Sequence, residues 1–209
     1  MFKLCLVTDR KLFKDQTAFL RAVRDATLSG VDVVVLREKD ILDSASLLTL
    51  AKKIKAASDG AKLLINGRCD VALAAGADGV HLTASSIPVK LARKLLGQGK
   101  LIGKSCHSIK DALVAQKDGV DYIFLGPIYF TESKAMYGKP LGCDIIKKLR
   151  KKISFKIPVL AVGGIVPFNT KFVLQAGADG IAVISGILKA KSPGLQTANY
   201  RRVLDGFRG

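Results

Sequence analysis

The sequence predicts an α/β fold, a (β/α)8 TIM barrel built as a single domain over residues 1–209, and two features carry that expectation. Eight short apolar runs alternate with helical patterns, and the runs are continuously apolar, which suits strands buried on both faces of a parallel sheet. A short phrase also recurs: Ser29-Gly30-Val31-Asp32-Val33-Val34-Val35, Ala75-Gly76-Ala77-Asp78-Gly79-Val80, Asp118-Gly119-Val120-Asp121-Tyr122-Ile123-Phe124 and Ala176-Gly177-Ala178-Asp179-Gly180-Ile181-Ala182. In each copy a helical pattern ends at a glycine suited to a helix C-cap, an aspartate follows, and a β-rich run begins. Each copy therefore marks a helix-to-strand junction, and the interval between copies holds about two βα units.

Taken in order, the first run is Leu4–Val7, too short for the apolar core of a signal peptide and followed at once by charge, so it reads as a strand. A helical pattern over Thr17–Ser29 leads to the second strand, Val31–Leu36, and Ser44–Ala57 leads to the third, Lys62–Ile65. The fourth strand is Gly79–Leu82, and helix Val89–Leu96 precedes the fifth, Leu101–Lys104. Helix Ser108–Lys117 precedes the sixth, Tyr122–Leu125; helix Asp144–Lys151 precedes the seventh, Pro158–Val162; and helix Asn169–Ala176 precedes the eighth, Gly180–Ile184. An open doubly wound sheet is the alternative, but no Gly-rich dinucleotide fingerprint follows the first strand.

Composition narrows the function classes. With 49% hydrophobic and 24% charged residues the chain is globular, and no apolar run is long enough to span a bilayer, so no membrane partner is expected. The formal charge of +17 would concentrate anions such as phosphate esters near the surface. Nucleic acid is the rival anion; against it stand 6% aromatics, no Trp, and basic residues spread along the chain. Cys5, Cys69, Cys106 and Cys143 are scattered, and two histidines are too few to complete a paired zinc motif, so a reduced cytoplasm is the expected compartment.

Barrel chemistry sits at the C-terminal ends of the strands. Gly163-Gly164-Ile165 and Ser185-Gly186-Ile187 follow the last two strands, where small residues let backbone N–H groups approach phosphate oxygens and a short helix near Ser185 aims its positive end at them. Arg37 and Lys39, two apart, share a face at the end of the second strand, with Glu38 on the other; the run reads either as a phosphate-binding pair or as a solvated charge cluster. Thr131-Glu132-Ser133-Lys134 lies in the long loop after the sixth strand, read either as a lid or as a plain connection. His107 is the better acid/base candidate of the two, although a structural role is the favoured reading for it, and His81, on an apolar run, is expected to pack in the barrel. No sequence feature stabilises a thiolate at Cys106.

Together these segments resemble the thiamine-phosphate synthase/TenI family, in order and over nearly the whole chain. They are Leu36–Lys39, Leu63–Asp70, Gly76–Leu82, Ile102–His107, Tyr122–Ile128, Thr131–Lys134, Ala161–Ile165 and Ala176–Ile187. The resemblance implies a small TIM barrel in thiamine biosynthesis that handles a thiazole phosphate. The synthase branch joins that thiazole to an aminopyrimidine diphosphate with Mg²⁺ assisting diphosphate departure. Carried over by position, Arg37, Lys39, Asn66, Ser105 and Lys134 would contact the diphosphate. Thr131, Ser133, Gly164, Ile184 and Ser185 would hold the thiazole phosphate.

The metal half of the pattern departs. The two Mg²⁺-binding aspartates fall at Gly67 and Ser86, and a glutamine that holds the pyrimidine falls at Val35. A single hydroxyl is a poor substitute for carboxylates around a hard dication, so no metal or other cofactor is expected unless the synthase chemistry holds, in which case Mg²⁺ is. The TenI branch, which aromatises a thiazole carboxylate phosphate tautomer without metal, resembles the chain better at Asn66-Gly67-Arg68 and Ser85-Ser86, although its proton-transfer histidine falls at Pro127. The expectation is therefore a TenI-like, metal-independent thiazole tautomerase. A divergent thiamine-phosphate synthase is the alternative, and a non-catalytic regulatory or nucleic-acid-binding protein is the third reading. The expected partner is a small phosphate ester, with a homodimer left open.

Overall fold

A computed structural model of the protein describes residues 2–41, 43–131, 139–152 and 155–207. Strand β1 (Leu4–Val7) pairs in parallel with both β2 (Val33–Leu36) and β8 (Gly180–Val183), so the sheet closes on itself. Between them run β3 (Lys62–Asn66), β4 (Gly79–Leu82), β5 (Leu101–Cys106), β6 (Tyr122–Leu125) and β7 (Val159–Val162), each parallel to the next. The result is the expected TIM barrel.

Helices α1 (Gln16–Leu28), α2 (Ser44–Ala57), α3 (Cys69–Ala74), α4 (Val89–Leu96), α5 (Ile109–Asp118), α6 (Asp144–Arg150) and α7 (Pro167–Gln175) follow β1 to β7 in turn. After β8 come a single turn, α8 (Ser185–Leu188), and α9 (Pro193–Gly206). The starts are written locally. Asp15, Asp43, Ser108 and Ser192 each accept a hydrogen bond from a backbone N–H in the first turn of α1, α2, α5 and α9, leaving fewer orphan donors there. Helices α3 and α9 lie outside the sequence expectation; α9 packs against α1 and α7 and buries Tyr200, whose hydroxyl donates to Ile165 O at 2.9 Å.

The continuous apolar runs have a direct cause. One parity of each strand, including Cys5, Val7, Val33, Val35, Leu64, Tyr122, Phe124, Leu160 and Ala182, fills the barrel, and the other, including Leu4, Leu6, Val34, Leu63 and Ile123, packs under the helices. Among the described residues, no helix is long and apolar enough to cross a membrane.

The recurring aspartate is a clamp at the opposite end from the site. Asp32 donates its N–H to Leu4 O at 3.0 Å while its carboxylate accepts the Leu4 N–H at 2.8 Å. Asp78 holds Leu63 in the same way, Asp121 holds Ile102, and Asp179 holds Val159. Arg201, Arg93 and Arg150 pair with Asp32, Asp121 and Asp179. Because the Asp121 carboxylate accepts charge-assisted bonds from both Ile102 N–H and Arg93 at 2.7 Å but is more than a third exposed, Asp121→Asn is expected to cost about 1–2 kcal/mol. Asp118→Asn, at the C-terminus of α5, is expected to stay within about 0.5 kcal/mol. Urea denaturation of the two variants checks the difference.

Candidate active site

Inward parity continues to the C-terminal rim and decides which side chains meet there. Asn66 follows Leu64 in β3, and Ser105 follows Gly103 in β5; beyond β2 and β8, Arg37 follows Val35 and Ile184 follows Ala182. All four are half-buried. Among the described residues, the Arg37 guanidinium has no hydrogen bond or ion pair, so its fork of donors is free for an anion.

β2 ends before Arg37, which corrects the picture of a strand pair. Lys39 lies in an exposed turn, and Glu38 is buried. The Glu38 carboxylate accepts from Thr8 Oγ1 at 2.7 Å and from Arg10 N at 3.2 Å, while Thr8 Oγ1 accepts the Arg37 N–H at 2.9 Å. Burial raises the Glu38 pKa above its ordinary value, with the Thr8 and Arg10 hydrogen bonds opposing. Glu38 thus braces the loops after β1 and β2, a role that alternation alone does not reveal.

His81 is buried in the barrel as expected, but it does more than fill space. Its Nε2 is 2.9 Å from Ser105 Oγ, its Nδ1 is 3.0 Å from the Tyr122 hydroxyl, and its ring stacks on Phe124 with centroids 4.0 Å apart. The signal for this was available: His81 shares parity with Gly79 and so faces inward. Burial lowers its pKa to about 3, so the imidazole is neutral.

That shift has a pH signature. The folded protein refuses a proton that the unfolded chain takes up near pH 6.5, so stability falls as pH drops from about 6.5 toward 3. The slope is at most about 1.4 kcal/mol per unit. Glu38 has the opposite sign, holding its proton more tightly when folded, so the His81 share is read by difference. Between about pH 6.5 and 5, wild type is expected to lose about 1–2 kcal/mol more than His81→Gln in urea titrations.

His107 lies just beyond β5 and is exposed. Its Nδ1 contacts Gly126 O, an interaction in which the ring nitrogen must donate. Cys106 is buried, and burial pushes its thiol up to about 12, which removes it as a nucleophile.

Gly163 and Gly164 follow β7 with φ of 98° and 64°. A Cβ would lie 2.7 Å from Pro127 Cα at Gly163 and 2.6 Å from Phe130 O at Gly164. The loop after β6 closes on them through Ile128 N to Val162 O and Tyr129 N to Gly163 O. Close approach of that loop is thus a reason for glycine besides phosphate access. Ser185 begins α8 beside Ile184. Thr131 is the last described residue of the loop after β6, whereas Ser133 and Lys134 lie outside the described residues.

Gly67 and Ser86 do face each other: a Cβ at Gly67 would lie 3.0 Å from Ser86 Oγ. Ser86 Oγ accepts from Thr83 N at 2.9 Å and contacts Thr83 Oγ1 at 3.2 Å. The side-chain donors at this place are hydroxyls where a hard dication prefers carboxylates, and Glu38 is engaged with Thr8 and Arg10. This donor set does not fit Mg²⁺.

Comparison with known proteins agrees with the fold. Residues 4–187 match a family described as thiamine monophosphate synthase. A Geobacter sulfurreducens protein, provisionally assigned as a thiamine-phosphate synthase, is 47% identical over 92% of this chain and 89% of its own. The thiamine-phosphate synthase of Clostridium novyi is 43% identical over 90% of this chain and 91% of its own. The structure of thiamine phosphate pyrophosphorylase from Pyrococcus furiosus superposes with a TM-score of 0.87 at 31% identity, covering 100% of this chain and 98% of that one.

Proposed function

Because the chain belongs to the thiamine monophosphate synthase family, we propose that it is a transferase that joins a thiazole phosphate to an aminopyrimidine diphosphate in thiamine biosynthesis. The observation that carries this reading is the half-buried Arg37 guanidinium, without a partner among the described residues, beside the ends of β3 and β5 that carry Asn66 and Ser105, with Gly163, Gly164 and Ser185 after β7 and β8. In it, Arg37 takes the diphosphate by a forked pair of hydrogen bonds and Lys39 adds charge from the turn above. Asn66 and Ser105 contribute hydrogen bonds to the same group. Backbone N–H groups at Gly164 and Ser185 hold the thiazole phosphate, Ile184 supplies an apolar wall, and the family resemblance adds Thr131 and Ser133 to that phosphate and Lys134 to the diphosphate. No step is assigned to Mg²⁺, because Gly67 and Ser86 do not offer its ligands. Charge on the departing diphosphate falls to the protein's own cations.

The transferase is preferred to the TenI-like tautomerase that the rim sequence alone favours, because relatives 43% and 41% identical are named for the synthase. The tautomerase stays as the second reading on one observation, the Gly67–Ser86 pair, with His107 as its acid/base candidate. Incubation with both substrates, with and without Mg²⁺, separates them. Formation of thiamine phosphate and pyrophosphate supports the synthase. Metal-indifferent binding of thiazole phosphate without coupling shifts the assignment to the tautomerase, and binding of neither substrate overturns both.

A further inference from the structure

Tyr122, His81 and Ser105 run as a hydrogen-bonded line from the barrel interior to its mouth. We propose that this line fixes the direction of its hydrogens, so that the Ser105 hydroxyl is committed to donating outward to an anionic oxygen of the ligand. The inference rests on the anion site proposed above, and it makes Tyr122 and His81 positioning residues for that site.

The argument is one of donor counting. A neutral imidazole has one N–H and one acceptor nitrogen. In one arrangement the Tyr122 hydroxyl donates to His81 Nδ1, His81 Nε2–H donates to Ser105 Oγ, and the Ser105 hydrogen is left facing the rim. In the other, Ser105 donates to Nε2, Nδ1–H donates to the Tyr122 oxygen, and the Tyr122 hydrogen has no acceptor. Tyr122 is 1% exposed, and among the described residues its hydroxyl has no hydrogen-bond partner besides His81. An orphaned donor at that depth is disfavoured by roughly tenfold or more in population. The first arrangement therefore holds, and Ser105 meets an approaching phosphate oxygen with a hydrogen and not a lone pair.

Two sequence choices build the line. Gly103 leaves the space through which the phenol passes, since a Cβ there would lie 2.0 Å from Tyr122 Cζ. Phe124 stacks on the imidazole and fixes its plane.

Long-range ¹H–¹⁵N NMR of the ligand-free protein reads the His81 tautomer, and calorimetry with inorganic pyrophosphate reads the anion site. Wild type is expected to show the Nε2–H form. Tyr122→Phe is expected to mix the tautomers and weaken pyrophosphate about fivefold. On a Ser105→Ala background the same change is expected to have no effect on affinity, because the two act through one hydroxyl. An Nδ1–H tautomer in wild type, or additive effects of the two substitutions, would overturn the line. Wild type that shows the Nε2–H form yet binds no pyrophosphate would overturn the outward-donor role together with the anion site, while leaving the hydrogen order standing.

Discussion

Gly103→Ala is expected to destabilise the protein by about 3–5 kcal/mol, a large share of the stability of an ordinary domain. The added Cβ would lie 2.0 Å from Tyr122 Cζ and 2.4 Å from both Cε1 and the hydroxyl, inside a barrel where Tyr122 is buried. Overpacking alone costs about 1–3 kcal/mol, and displacing the phenol also strands its hydrogen bond to His81. Urea denaturation checks the loss. Because the clash has one partner, Tyr122→Leu combined with Gly103→Ala is expected to recover part of it. Failure of the pair to show any positive coupling would mean that the ring is not what the glycine accommodates.

Arg37→Met is expected to weaken pyrophosphate binding by about 10- to 100-fold, the range for charge-assisted hydrogen bonds, while leaving stability within about 0.5 kcal/mol. The separation follows from where the residue makes its bonds. Its backbone N–H, which the substitution keeps, braces Thr8, and its guanidinium has no partner among the described residues. Arg37→Lys is expected to recover only part of the affinity, since an ammonium cannot make the forked pair. Calorimetry with pyrophosphate and a thermal melt distinguish this from a general loss of structure. Equal affinity in Arg37→Met would remove the residue from the anion site.

The barrel was legible because its signals are local. β1, β4 and β6 have the ends read from their apolar runs, and α2 and α4 have the ends read from their periodicity. The short α3 was missed because six residues give too little periodicity to detect, and α9 because it lies beyond the last recurring junction. At the site, the strand-end rule put Asn66 near the rim, where β3 ends, and alternation paired Arg37 with Lys39. It misassigned Lys39 because β2 stops at Leu36 and the chain turns. The bracing by Glu38 and the Ser105–His81–Tyr122 line depend on neighbours 30, 24 and 41 residues away in sequence, a distance over which no local pattern speaks. The choice between transferase and isomerase was illegible for another reason. Gly67 and Ser86 argue one way and the overall likeness to named synthases the other, and both are properties of the same chain.

The four aspartate clamps join β1 to β2, β3 to β4, β5 to β6 and β7 to β8, and none of them crosses from β4 to β5. A chain severed between Gly97 and Gly99, just ahead of β5, would therefore leave two fragments, each with both of its clamps internal. A cut between α1 and β2 would instead set Asp32 and Leu4 on different pieces. Co-expressed halves from the first cut are expected to reassemble into soluble barrel more efficiently than pieces from the second, with size-exclusion chromatography as the readout. The barrel is a ring of four similarly clamped strand pairs, the kind of object that can arise by copying a quarter or a half and fusing the copies. Its working rim would then be free to diverge, because the bonds that hold each strand pair in register lie at the other end.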